Sequence, residues 1–320
     1  MPQVRQGVAA RTRKTTPIAA VKRAVPKASH ARGEPRSVFS GHVVVVTGGV
    51  QGIGEGIALH LASSGATIAI IDVDSTKGLE TERRLSRQGL AVKFWQCDLN
   101  DPEAISATVD AIWRKEGRID VLVNNAAAHG PRLSLLEYSV RDWESVLRTN
   151  LTGTFWLTRE IARRMIAHRI AGSIVNILAI QSEVPIAGYG PYVASKGGLE
   201  ALTRAAAVEL SAHNIRANGV MLGAIYSGST RGAGPVDSAS ASDFEKVPPT
   251  LDRAVPNLVG RMGRPSDVAR AVAFLASPES SYLTGSVVVV DGGRLLNRGT
   301  DPFSPPPADR PRGHGGGIER

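Results

Sequence analysis

The sequence predicts an α/β fold built on one doubly wound parallel sheet within a single domain. Short β-branched apolar runs alternate with helix-length amphipathic stretches from Gly41 onward, at the pace of strand–helix–strand units. With 320 residues, 42% of them hydrophobic and 21% charged, the chain has material for a full buried core. No internal repeat or second domain interrupts the pattern.

The first strand is predicted at 42–46, a run of valines, followed by the turn Thr47-Gly48-Gly49-Val50-Gln51-Gly52-Ile53-Gly54. Ile57, Ala58, Leu61 and Ala62 then recur at helical spacing over 55–63. A second strand, 67–71, runs into Asp72-Val73-Asp74 and a polar helix over 77–88. Strand 91–96 leads into Cys97-Asp98-Leu99, helix 102–116 follows, and strand 120–124 closes in Asn124-Asn125-Ala126-Ala127. One long helix is expected over about 141–169 and a buried strand over 174–180. Gly190-Pro191 suits a helix start, and Leu199, Leu202, Ala206 and Leu210 carry that helix forward. Strands at 215–221 and 286–290 complete the set. Between them, residues 227–256 are rich in Ser, Gly, Pro and Ala, too long for a plain connection. Their place after the carboxyl end of a strand, where open α/β sheets bind ligands, predicts a lid over a substrate.

The net charge of +9 looks like a nucleic-acid signal until it is located. Residues 1–40 hold nine Lys/Arg against the single acid Glu34, whereas residues 41–295 hold 25 of each sign. The domain proper, 39–295, is therefore balanced, and nucleic acid is not its expected partner. Residues 1–38 read as a disordered basic extension and 296–320, with Pro-Pro-Pro and Gly-Gly-Gly, as a disordered tail. The extension also overlaps in composition with organelle transit peptides, so a cytoplasmic location is expected with organelle targeting left open. No apolar run approaches the roughly 18 residues of a membrane span. The single Cys97 excludes an intramolecular disulfide, and seven scattered histidines lack metal-ligand spacing, so no metal is expected.

Two constellations carry chemistry. In the first, Gly48, Gly52 and Gly54 stand between a strand and a helix, where a tight turn lets backbone approach a pyrophosphate at the helix N-terminus. Asp72, eighteen residues beyond Gly54, ends the second strand, where a carboxylate accepts hydrogen bonds from a ribose and repels a 2′-phosphate. Neither Val50 nor Gln51 offers a balancing cation, which favours NAD over NADP. Asp98 has two readings, holding an adenine amino group or capping the helix that begins near Pro102. In the second constellation, Tyr192 and Lys196 lie four apart and share a helix face. A phenol titrates near ~10 and needs a neighbouring cation to act as a base at neutral pH; the lysine supplies one.

From about Ser40 to Gly293 these residues resemble the classical short-chain dehydrogenases/reductases. The resemblance rests on TGGVQGIG at 47–54, Asp72, Asp98, NNAA at 124–127, Asn150 in RTNLTGTF, YVASK at 192–196, IRANGV at 215–220, and Asp291 with its two following glycines. It implies a three-layer Rossmann fold and hydride transfer between a nicotinamide and a small alcohol or carbonyl compound such as a sugar, polyol or keto compound. Tyr192 would be the general acid/base, Lys196 would bind the nicotinamide ribose and lower the phenol pKa, and Asn150 would hold a relay water. Cofactor contacts would fall to Thr47, Gly48, Gln51, Gly52, Ile53, Gly54, Asp72, Asp98, Leu99, Asn125, Ala126 and Ile225, besides Tyr192 and Lys196. Assembly as a homodimer or homotetramer, through helices around 141–169 and 192–212, is also implied.

One departure lies at the chemistry. The serine that holds the substrate oxygen in such enzymes, thirteen residues before the tyrosine, is Ala179 here. Three readings follow: slow turnover on Tyr192 and Lys196 alone, a substitute donor from Gln181 or Ser182, or a nucleotide-binding protein without turnover that acts through partners. Two smaller departures touch the cofactor floor. Ala127 replaces the glycine of NNAG, and Leu222-Gly223 replaces Pro-Gly, with Ser227 available to meet the carboxamide.

Overall fold

Period-two alternation sorts the strand side chains onto two faces of a sheet. In β1 (Val43–Thr47), Val44 and Val46 enter one apolar core while Val43 and Val45 enter the other. β2 (Thr67–Asp72) divides in the same way, Ile68 and Ile70 against Ala69 and Ile71. The computed structural model describes residues 37–227, 247 and 257–296. Within it β3 (Val92–Gln96), β4 (Val121–Asn124), β5 (Ser173–Ala179), β6 (Arg216–Leu222) and β7 (Val287–Val290) join β1 and β2 in a seven-stranded sheet of order β3-β2-β1-β4-β5-β6-β7. Every pairing is parallel.

Parallel strands need crossover helices, and these cover both faces. α1 (Gly52–Ser63), α2 (Ser75–Arg87) and α7 (Pro265–Ala276) bring Ile57, Leu61, Leu85, Val268 and Leu275 to the first core. α3 (Pro102–Glu116), α5 (Thr154–Ala167) and α6 (Gly190–Leu210) bring Ile105, Ile112, Leu157, Ile161 and Ala207 to the second. The result is the expected three-layer, doubly wound α/β domain. Strand order reverses between β1 and β4, which opens a crevice at their carboxyl ends.

The helix starts have their own caps. Asp74 caps α2 by accepting from the Lys77 amide at 3.0 Å, and Asp101 caps α3 by accepting from the Ala104 amide at 3.0 Å. Neither Asp72 nor Asp98 is needed as a cap.

Two elements differ from expectation. The single helix over 141–169 is α4 (Val140–Leu147), a π-helical turn at Arg148–Gly153, and α5. The wider turn places Asn150 fully buried between loop and core, and such insertions often mark functional sites. α7 has no counterpart in the sequence analysis, although Pro265 at its first turn, Asp267 near its start and the spacing of Val268, Val272, Leu275 and Ala276 are its signals. The expected extension at 1–38, lid at 227–256 and tail at 296–320 fall almost wholly outside the described residues.

Buried Asp120 fastens the sheet at its amino end. Its Oδ2 accepts from the Val43 amide at 2.9 Å, and Arg118 pairs with both carboxylate oxygens. Removing the carboxylate leaves the first amide of β1 without its partner, so Asp120→Ala is expected to cost about 1–3 kcal/mol. Chemical denaturation checks this, with Asp120→Asn, which keeps an acceptor, losing less.

Candidate active site

The crevice is a cleft of about 660 Å³. Its floor begins at the glycine turn. A Cβ on Gly54 would lie 2.0 Å from the Gly48 carbonyl oxygen, and Gly52 adopts φ +55° with its own Cβ position 2.8 Å from the Ser227 carbonyl. α1 starts at Gly52 with no side chain capping its first amides, so those donors remain available at the cleft. A turn that tolerates no side chains, leading to an uncapped helix N-terminus, fits a pyrophosphate.

The opposite wall comes from the loop after β4, and hydrogen bonds stitch the two walls together. Thr47 Oγ1 accepts from the amides of Asn125 (2.9 Å) and Ala126 (3.0 Å), while Asn125 Nδ2 donates to the carbonyls of Thr47 and Gly48. Thr47 is buried and does not line the cleft; it joins the cleft's sides.

Gly48, Gln51, Gly52, Ile53, Gly54, Asp72, Asp98, Leu99, Asn125, Ala126 and Ile225 all line the cleft, as do Ala127, Leu222 and Ser227. Asp72 accepts from the Asp74 amide at 3.1 Å, and burial, with help from the Asp74 charge, outweighs its hydrogen bonds and Lys77 to push its carboxyl up. Lys77 has no place in the sequence-based site. Its ammonium donates to Gln51 Oε1 at 2.9 Å and lies 3.8 Å from Asp74. Asp98 Oδ1 accepts from the amide and side chain of Asn100.

At the far end of the cleft stand Tyr192 and Lys196, one turn apart on α6. Lys196 is buried, donates to the Ile177 carbonyl at 2.7 Å, and has its Nζ 5.8 Å from the Tyr192 ring centre. Burial dominates both groups: it lowers Lys196 to about 8 and, with the neighbouring Tyr189, pushes Tyr192 up to about 12. Burial thus holds the phenol protonated.

Asn150 lies beneath this pair rather than on the cleft surface. Its side chain clamps Ala128 from both sides, accepting from the amide at 2.7 Å and donating to the carbonyl at 2.8 Å, and it also donates to Ser195 Oγ at 3.0 Å. The side-chain amide is therefore committed to the β4 loop and to Ser195, and the main-chain carbonyl accepts from Thr154 Oγ1 at 3.0 Å.

Ala179 lines the cleft and packs with Val146 and Tyr192 in an apolar cluster. Of the two substitute donors, Gln181 lines the cleft. Ser182 does not, and its hydroxyl donates to the Ala179 carbonyl at 2.9 Å. A histidine absent from the sequence-based site stands against the Tyr192 ring and lines the cleft. The His129 ring stacks on Tyr192, with centroids 4.7 Å apart and planes 20° from parallel. Met262 also lines the cleft. The signal for His129 was its place just past the carboxyl end of a strand.

Comparison with known proteins agrees with this geometry. A family model described as enoyl-(acyl carrier protein) reductase matches residues 48–294. The chain is 36% identical over 253 residues to a 3-oxoacyl-(acyl-carrier-protein) reductase of Chlamydia pneumoniae, covering 79% of this chain and 96% of that protein. It is 33% identical over 274 residues to the L-fucose dehydrogenase of Bos taurus, covering 85% and 96% respectively. Among solved structures, a short-chain type dehydrogenase/reductase from Mycobacterium ulcerans superposes with a TM-score of 0.71 at 28% identity, covering 82% of this chain and 93% of that one. A citronellol catabolism dehydrogenase of Pseudomonas aeruginosa PAO1 gives 0.68 at 32% identity, covering 82% and 98%. A glycine turn, a strand-end carboxylate and a Tyr–Lys pair at one cleft, with these likenesses, place the chain in the short-chain dehydrogenase/reductase family of oxidoreductases.

Proposed function

We propose that this protein is an NAD-dependent dehydrogenase/reductase acting on an alcohol or carbonyl group of a small sugar, polyol or keto compound. The observation that carries the reading is the meeting of Tyr192 and Lys196 at the end of a cleft whose other end is the glycine turn and Asp72. The relatives named as 3-oxoacyl-(acyl-carrier-protein) reductase and L-fucose dehydrogenase support a keto or a sugar group as the reacting chemistry.

A bound nicotinamide would supply or accept the hydride. Gly48, Gly52 and Gly54 would admit its pyrophosphate, Asp72 its adenosine ribose and Lys196 its other ribose. Lys196 uses one of its three donors on Ile177, which leaves two for ribose hydroxyls and for charge left on the phenol oxygen. Tyr192 holds its proton at Oη and gives it to a carbonyl oxygen during reduction, which a buried, high-pKa phenol favours. Replenishment would run through the main-chain carbonyl of Asn150 and an ordered water.

The preference for NAD rests on local charge. A 2′-phosphate would meet Asp72 and Asp74 against the one ammonium of Lys77, a net negative neighbourhood. No described helix is long and apolar enough to cross a membrane. Homo-oligomer formation has its support in exposed apolar side chains on the helices expected to pair: Trp143 on α4, Phe155 on α5 and Val208 on α6.

Turnover of one member of an alcohol, sugar and ketone panel, followed by nicotinamide absorbance, tests the reading. Tyr192→Phe is expected to lower that rate by about a hundredfold or more; an unchanged rate would count against it. NAD should bind more tightly than NADP, and Asp72→Asn should narrow the gap by about ten- to a hundredfold in NADP affinity, read by fluorescence titration. In pH profiles, Lys196 is charged below its value of about 8 and discharges above it, while the phenol stays protonated. Carbonyl reduction should therefore be level at neutral pH and fall as pH rises through about 8; a rate level to about pH 10 would contradict the role given to Lys196.

A further inference from the structure

The catalytic reading leaves one need unmet. As a carbonyl oxygen takes charge from the arriving hydride it requires a hydrogen-bond donor besides the Tyr192 phenol, and Ala179 has none. Three polar side chains lining the cleft are committed elsewhere, while Gln181 and His129, also on the lining, are not. Asn125 Nδ2 is held by Thr47 and Gly48, Asn100 Nδ2 by Asp98, Thr149 Oγ1 by Asn100 and Ser145, and Ser182 lies off the lining.

His129 is different in three ways. Its ring stacks on the Tyr192 ring, near-parallel with centroids 4.7 Å apart, and both residues line the cleft. Its ring nitrogens make no hydrogen bond among the described residues. Its position is fixed from behind, because the residue before it, Ala128, is gripped at both amide and carbonyl by the buried Asn150 side chain. A donor must be preorganised to contribute to catalysis, and this clamp provides that.

We propose that the imidazole N–H of His129 takes the place of the missing hydroxyl and donates a hydrogen bond to the substrate oxygen. This rests on the dehydrogenase/reductase reading given above. The electron pair of the hydride enters the carbonyl carbon, the C=O π pair moves to oxygen, and the phenol of Tyr192 supplies the proton. His129 transfers none; it holds the oxygen while charge develops. Burial and the Lys196 charge lower the imidazole, so it is neutral at neutral pH with one donor nitrogen. Asn150 becomes a positioning residue for both sides of the oxygen, through Ala128 to His129 and through Ser195, whose hydroxyl donates to the Tyr192 carbonyl at 2.7 Å, to α6.

The test is a double-mutant cycle between His129→Phe, which keeps the stacked ring and removes the donor, and Ala179→Ser, which restores a hydroxyl. The probes are acetoacetyl-coenzyme A with NADH and L-fucose with NAD. His129→Phe is expected to lower kcat by about a hundredfold with cofactor affinity unchanged, and Ala179→Ser should rescue that variant by at least about tenfold. His129→Asn, smaller and still a donor, should retain more activity than His129→Phe and guards against a folding defect in the latter. Tolerance of His129→Phe, or an equal loss whether or not Ala179→Ser is also present, would overturn the proposal while leaving the dehydrogenase reading in place. Activity only after Ala179→Ser would overturn it too, since the wild-type chain would then lack any working donor. Turnover by no variant on any probe would instead remove the underlying reading, and this inference with it.

Discussion

The strand reversal between β1 and β4 creates the cleft, and the hydrogen bonds between Thr47 and Asn125 keep it usable. Two loops that diverge from adjacent strands expose polar backbone on both sides of a gap, and each unpaired buried group is costly. Here one hydroxyl accepts two amides and one carboxamide donates to two carbonyls, so the loops are satisfied by each other without closing. Asn150 repeats the device one layer deeper, pairing with both polar atoms of Ala128 as a neighbouring strand would. The cleft is open because side chains of Thr and Asn make the hydrogen bonds that a continued β-ladder would otherwise make.

Much of the fold was legible because its signals are local. Valine runs, glycines at strand ends and 3.6-residue spacing place most elements within a residue or two of the described bounds. What stayed hidden depends on long-range contact. The π turn at Arg148–Gly153 has no propensity signature; it sets Asn150 where its side chain meets both Ala128 and Ser195. α7 follows a loop rich in Gly and Arg, and its apolar stripe gains meaning only against the core that holds Ile57 and Leu61. In the site, Gly48 to Gly54, Asp72, Tyr192 and Lys196 could be read from spacing along the chain. His129, marked only by its place after a strand's carboxyl end, and Lys77 are harder to find, because each makes its contact across a distance in sequence, with Tyr192 in one case and Gln51 in the other.

Ala179 and the high phenol pKa are two aspects of one environment. Ala179 and Val146 pack on Tyr192, with Tyr189 against the cluster, and this apolar contact is the desolvation that holds the proton on the phenol. A hydroxyl at 179 would soften that desolvation and also offer the substrate a donor. In the dehydrogenase/reductase reading, its absence would make the phenol a more reluctant base and the oxygen site poorer, two changes that bear unequally on the two reaction directions. Proton donation to a carbonyl survives the first change, since a protonated phenol is its starting state. Proton abstraction from an alcohol does not, because phenolate must form in a pocket that disfavours charge. A second donor to the oxygen stabilises the charged oxygen common to both directions, and His129, stacked on Tyr192, lines the same cleft.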